Sequence, residues 1–271
     1  YYYSARYYAP PAFISRDPMF EKYPSISPYT YCLNNPVILI DPDGRSPKDP
    51  PYNGAGYYAA EVNTRYLGFG LRNPAAAMRI GFGVTRGASN ISTNATRFAT
   101  RGEILNGSKR SQEDRGSENG AFRHVLWQAT ITSEFDRSVA AQAGNAHEGN
   151  PYTNLAVRTF ANLDDADQVV DMLNNQIGRN IGDANKGASM NDLAKTVLDE
   201  FKTNGLYTAS KGDDGNYTIS KTKLSSTKYD QLMQIFDGLN SNGRTPAEQK
   251  AADIESKQRL EQLQSTWGTM K

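Results

Sequence analysis

The sequence predicts a mainly α-helical protein that carries one small β-hairpin and begins with a short strand-rich segment. Three observations support this reading. Apolar residues recur at i, i+3, i+4 and i+7 through most of the chain after residue 57. Capping residues and Pro or Gly punctuate those runs. One stretch, LYTASKGDDGNYTIS, changes to strand-like alternation around Asp214-Gly215.

Taken in order, the first 45 residues are crowded with Tyr and Pro, and their alternation of aromatic and small residues suggests short strands and turns. Residues 46–56 are Pro- and Gly-rich and form a natural linker, which leaves 57–271 as the helical domain. A helix is expected within 57–72, although Gly68 and Gly70 weaken it. Asn73-Pro74 then caps and starts a short helix. Residues 84–112, rich in Gly, Ser, Thr and Asn, read as a loop with short helical turns. Three helices follow: NGAFRHVLWQATI, RSVAAQAGNAHE and DADQVVDMLNNQIGRNIG, the last with Gly182 as its stop. Segment 189–203 is helical through Leu193, Val197 and Phe201, and Gly205 ends it. Residues 227–240 return to helix through Tyr229, Leu232, Met233 and Phe236. Finally, Thr245-Pro246-Ala247-Glu248 is a capping box that opens a helix to about Thr266, with few apolar residues and a surface location.

Composition narrows the function. With 271 residues and 38% hydrophobic content the chain can bury a sizeable core. A formal net charge of +1 argues against a broad basic surface for indiscriminate nucleic-acid binding. No apolar run approaches a membrane span, and no secretory signal is visible. The single cysteine, Cys32, rules out an internal disulfide and a cysteine-built zinc site.

The chemistry concentrates between Asn119 and Arg179, which hold the only two histidines, His124 and His147. Phe122, Val125, Leu126 and Ala129 form one apolar face, so Arg123, His124 and Trp127 fall away from it. Val139, Ala140 and Ala143 share a face with His147, which directs that imidazole inward. Val169, Val170, Leu173 and Ile177 form a core face, while Asp171, Asn175 and Arg179 align at i, i+4 and i+8, bordered by Asn174. Arg123 and Arg179 suit a substrate phosphate. His124 and His147 can divide acid and base roles, or one can act as a nucleophile. Glu148 or Asp171 can orient either ring. Trp127 and Asn174 are candidates for substrate binding, and Asn174 and Asn175 could also stabilise an oxyanion. Each has a bland alternative: a satisfied structural histidine, a packing tryptophan, or a solvated Asp171–Asn175–Arg179 face. No cofactor is expected. A divalent metal on His124, His147, Glu148 and Asp171 is the competing reading, although no close His pair selects it.

The opening segment resembles a known family. YYYSARYY, FISRDP, SPYTYCLNNPV and DPDGR are similar to the end of an Rhs (YD-repeat) core, which forms a β-cage around a polymorphic C-terminal toxin. On that resemblance the chain is a fragment of a larger secreted effector. The family's core ends in an aspartyl self-cleavage motif, roughly two D-P-x-G elements. Asp41-Pro42-Asp43-Gly44 matches the second; Asp17-Pro18 matches only the start of the first, since Phe20 stands in the glycine's place. Cleavage is expected just after Gly44 or Arg45. Downstream, NISTNATRFATRG, FRHVLWQATI, NAHE and DMLNNQIGR resemble toxin domains found behind such cores.

The resemblance implies an antibacterial effector delivered into a neighbouring cell, with a cognate immunity protein, the Rhs cage and a secretion machinery as partners. Together with the residues it suggests hydrolysis of a phosphoester in nucleic acid or in a lipid-linked phosphate. Two alternatives stand beside it. One is a metal-dependent phospholipase or nuclease. The other is a non-enzymatic toxin that inserts into membrane or binds a target through Gly68, Gly70, Gly81 and Gly83.

Overall fold

The computed structural model describes residues 2–3, 6–9, 12–16, 27–31, 65–81, 89–107, 114–148 and 153–268. Asp17, Asp41, Cys32 and Gly83 lie outside them, as do the linker and both ends of the loop expected over 84–112. The chain divides into two compact units, residues 1–64 and residues 65–271. In the first unit, β1 (Tyr2–Tyr3), β2 (Arg6–Ala9) and β3 (Ala12–Phe13) form an antiparallel sheet in that order. The Arg6 guanidinium lies 3.7 Å from the Phe13 ring centroid, which explains how a buried arginine is tolerated there.

The second unit is mainly helical. A helix over 65–72 (α1) precedes α2 (Pro74–Ile80), α3 (Ile91–Ala99), α4 (Glu118–Glu134), α5 (Arg137–His147), α6 (Leu163–Ala184), α7 (Met190–Thr203), α8 (Ser226–Asp237) and α9 (Pro246–Gly268). Between them, β4 (Thr159–Phe160), β5 (Leu206–Lys211) and β6 (Tyr217–Thr222) form an antiparallel sheet of order β4-β6-β5. The hairpin is as expected; the two-residue β4 joins its outer edge by pairing Thr159 with Thr218.

Most helix boundaries follow from local chemistry. Ser117, Asp136, Asn162, Ser189 and Ser225 each accept a backbone N–H in the first turn of the helix they precede. The capping box forms as a reciprocal pair: Thr245 N donates to Glu248 Oε2 (2.8 Å) and Glu248 N donates to Thr245 Oγ1 (3.3 Å). Helix α9 then runs along the surface with almost every described side chain exposed.

Four expectations need correction. Residues 84–112 contain the regular helix α3, because Asn90 caps it through Thr93 N and Ile91, Ala95, Phe98 and Ala99 bury one face. Pro74 starts α2 behind Asn73 as expected, but the Asn73 side chain makes no cap bond; its amide donates to Gln142 Oε1 on α5 (3.2 Å). Gly182 does not stop α6, which continues to Ala184. Lastly, α4 has no open side: from Asn119 to Ser133 only Arg123 is not buried, and the helix packs against α3, α5, α6, α7 and β5.

The crossing of α4 and α6 positions the site. A Cβ added to Gly178 would lie 2.4 Å from the Val125 carbonyl oxygen, and one added to Gly182 would lie 2.4 Å from that of Ala129. Glycine alone lets the two backbones approach this closely. One and two turns N-terminal of Gly178, the same face of α6 carries Asn175 and Asp171 to His124.

Candidate functional site

His124 is the hub. Its Nε2 lies 3.3 Å from Asp171 Oδ2, and its Nδ1 lies 3.3 Å from Asn175 Oδ1 and 3.9 Å from Glu148 Oε1. Asn175 Nδ2 donates to Glu148 Oε1 (3.2 Å), and Gln168 Nε2 donates to Glu148 Oε2 (3.1 Å). These bonds assign the protons. With its amide nitrogen turned to Glu148, Asn175 presents its oxygen to His124, so Nδ1 carries the hydrogen. Nε2 is then the ring's lone-pair nitrogen and faces Asp171, whose raised carboxyl favours keeping its own proton.

The electrostatics agree. Burial holds the His124 pKa well below its ordinary value, reinforced by the charges of Arg123 and His147. Burial also raises the Asp171 carboxyl well above the usual range, aided by Asp167 and Glu148 nearby. Glu148 is pushed up to about 7, chiefly by burial, against the opposing hydrogen bonds from Asn175 and Gln168. Asp167, which accepts Gly116 N (2.6 Å), and Asp114, whose Oδ2 lies 3.3 Å from Arg123 Nη2, are raised for the same first cause. Four raised carboxyls thus gather around Arg123, with Arg115 also acting on Asp167, in a low-dielectric setting that favours their neutral forms.

Beside the hub lies a cavity of about 90 Å³ lined by Tyr66, Phe69, Ile80, Ala95, Arg123, His124, Trp127, Ala143 and His147, among others. The His147 ring turns into the site, as the spacing suggested, and lines the cavity 5.8 Å from the ring of His124 and 5.6 Å from that of Trp127, although the residue keeps an exposed edge. Tyr66 Oη bonds His147 Nδ1. Burial raises the Tyr66 hydroxyl to about 12, so it is the donor and leaves the hydrogen of neutral His147 on Nε2. Burial of the ring, and after it the Arg123 charge, lowers the His147 pKa to about 4.

The structure therefore brings Arg123, His124, His147, Glu148, Asp171 and Asn175 together. Arg179 goes elsewhere: its Nη1 donates to Gln128 Oε1 (3.1 Å), and Gln128 Nε2 donates to Ala140 O (3.0 Å), a tie among α4, α5 and α6. Asn174 binds the backbone of Tyr207 through both amide atoms, at 2.9 and 3.0 Å, and so anchors β5 to α6. Trp127 is both wall and plug, with Nε1 donating to Ser92 Oγ (3.1 Å). Of the metal set, His124, Glu148 and Asp171 offer ligand atoms that all lie within 4.8 Å of one another, and could hold an ion.

Asp167 and Gln168 are additions to the expected set. Asp167 stands one turn before Asp171, so extending the i, i+4 stripe backwards reaches it from sequence alone. Asp114 and Tyr66 carry no such signal, because loop geometry and the packing of α1 bring them in.

A family model described as a domain of unknown function, DUF6973, matches residues 88–205. The matched span runs from just before α3 to the end of α7 and contains the whole carboxyl–histidine cluster, but not α1 or α2. No curated protein and no solved structure matches the chain. Among the described residues, no helix is long and apolar enough to cross a membrane.

Proposed function

We propose that this chain is a piece of an Rhs effector, the last part of its core with the toxin behind it, and that its helical unit is a toxin that hydrolyses a phosphoester in a competitor cell. The motifs of the first 45 residues support the effector assignment and, with it, delivery by a secretion machinery and a cognate immunity protein. One observation carries the reaction: a guanidinium, two neutral imidazoles and several proton-retaining carboxyls converge beside a cavity. Arg123 holds the anionic oxygens of the substrate. His147 donates its Nε2 hydrogen to a phosphoryl oxygen. Water attacks phosphorus and passes its proton into the Glu148–Asn175–His124–Asp171 network, and the departing oxygen takes a proton from it. Glu148, titrating near 7, and the proton shared by His124 and Asp171 make both transfers accessible at neutral pH. Asn175 and Gln168 position the network.

The test is expression of the full chain in bacteria, directed to cytoplasm or periplasm, with and without His124→Ala, together with assays on phosphodiester substrates. Killing and hydrolysis that both vanish in the variant support the reading. A variant that kills as well as the wild type sinks it and favours the non-enzymatic toxin.

A second reading is favoured by the mutual approach of His124, Glu148 and Asp171 ligand atoms. Their one-nitrogen, two-carboxylate set suits a divalent cation, which when bound would supply a Lewis acid and an acidified water. His147 is not among the residues whose ligand atoms approach this closely. Activity that disappears on dialysis against EDTA and returns with one added divalent metal selects this version; activity indifferent to EDTA selects the metal-free one.

A further inference from the structure

We infer that the substrate carries a hydrocarbon chain beside its anionic group, and that the cavity between the polar cluster and α1–α2 receives that chain. This inference rests on the reading above for the identity of the head group, and it names the substrate class of the same site.

The wall is the first argument. Phe69, Ile80, Ala95, Trp127 and Ala143 supply most of it. The hydroxyls that also line it are committed internally. Ser92 Oγ accepts the Trp127 indole N–H and donates to Gly81 O (3.4 Å), while Thr96 Oγ1 donates to Ser92 O (3.1 Å). A base or a sugar placed here would lose its hydrogen bonds to water and find few in return, a loss of affinity large enough to exclude it. An alkyl chain loses nothing polar and gains burial. The groups left to meet a ligand's charge are Arg123 and His147; the buried Nε of Arg123 has no hydrogen-bond partner among the described residues.

The outside of the same helices is the second argument. Helices α1 and α2 turn Phe69, Ala77 and Ile80 to the cavity and expose Leu67, Leu71 and Met78 at 61%, 76% and 84%. Apolar side chains on both faces of the elements that wall an apolar cavity suit a substrate drawn from a lipid layer. A formal net charge of +1 fits that role better than it fits binding a polyanion.

Trp127 provides a direct readout. The chain holds two tryptophans, so in the full chain with Trp267→Phe the emission reports the cavity alone. This protein is titrated with inorganic phosphate, with methyl, ethyl, propyl, butyl and hexyl phosphate, a range that brackets a cavity of about 90 Å³, and with a short oligoribonucleotide. Affinity is expected to rise about fourfold per buried methylene until the cavity is full, and Ala77→Phe, checked for an unchanged thermal midpoint, is expected to cut alkyl phosphate binding at least about tenfold while sparing inorganic phosphate. The chain-length series needs no variant and stands if Ala77→Phe fails to fold. Affinity independent of chain length from methyl to butyl phosphate, or an oligoribonucleotide that binds more tightly than butyl phosphate, would overturn the inference and leave phosphoester hydrolysis standing. Chain-dependent binding without turnover of any phosphoester would do the reverse.

Discussion

The two buried faces of α6 are built on opposite principles. One sets Ala166, Val169, Val170 and Leu173 against Ile219 of the small sheet, and burial of hydrocarbon holds it. The other sets Asp167, Asp171, Asn175, Gly178 and Gly182 against α4, where side chains are either polar or absent. The first face contributes stability. The second consumes it, because burying carboxyls is unfavourable unless they keep their protons or find partners. A helix that accepts such a face beside an ordinary one is giving up stability for a site.

The sharpest break in this comparison should come from His124→Gln, which removes the acceptor of the Asp171 proton. We expect hydrolysis to fall by about 10² to 10⁴-fold, the usual contribution of a positioned acid or base, with the fold retained by circular dichroism. On the apolar face, Leu173→Ala should cost about 2–5 kcal/mol in urea unfolding and leave turnover per folded molecule near the wild-type value. Gly178→Ala should cost about 1–3 kcal/mol, since its Cβ would meet the Val125 carbonyl at 2.4 Å. Unlike Leu173→Ala, it should also lower activity in the molecules that remain folded, by moving Asp171 and Asn175 away from His124.

A subtler contrast concerns pH. Glu148 is raised from 4.5 to about 7, so between those values the folded chain binds more protons at this group than the unfolded chain does. Its contribution to stability is present in full below about pH 4.5, declines as pH rises through 7, and does not return. The lowered histidines act with the opposite sign below their ordinary 6.5, so the whole-protein curve mixes the two. The difference between Glu148→Gln and wild type isolates the acid: the variant should gain relative stability from pH 5 to 8, read as a rising difference in thermal midpoint. A flat difference would place Glu148 in water, outside the buried network.

The two faces of α6 also differ in how far they could be read in advance. Val169, Val170 and Leu173 declare themselves by apolar spacing. Asp171, Asn175 and Arg179 show an equally clean period, yet that period is compatible with a solvated surface, and here it splits: Asp171 and Asn175 join His124 while Arg179 binds Gln128. All three reach α4, but the stripe runs along it: Asp171 and Asn175 meet His124, and Arg179, one turn further on, meets Gln128 instead. Gly182 misled for a related reason. A glycine that ends a helix and a glycine that admits a neighbour's backbone look the same until the neighbour is placed.

What the amino-acid order determined alone was mostly local. Helix starts at Ser117, Asp136, Ser189 and Thr245, the hairpin about Asp214-Gly215, and the exposed α9 all rest on interactions within a few residues. Capping, turn chemistry and amphipathic spacing need no distant partner. Tertiary structure decided what depends on distance. It enclosed α4 on every side, folded the loop before α4 so that Asp114 meets Arg123, brought Tyr66 from a helix far off in sequence, and turned His147 to the cavity. It also set the protonation of Glu148 and Asp171, because a carboxyl's pKa follows the water and charges around it, and those are fixed only when separate helices close over it.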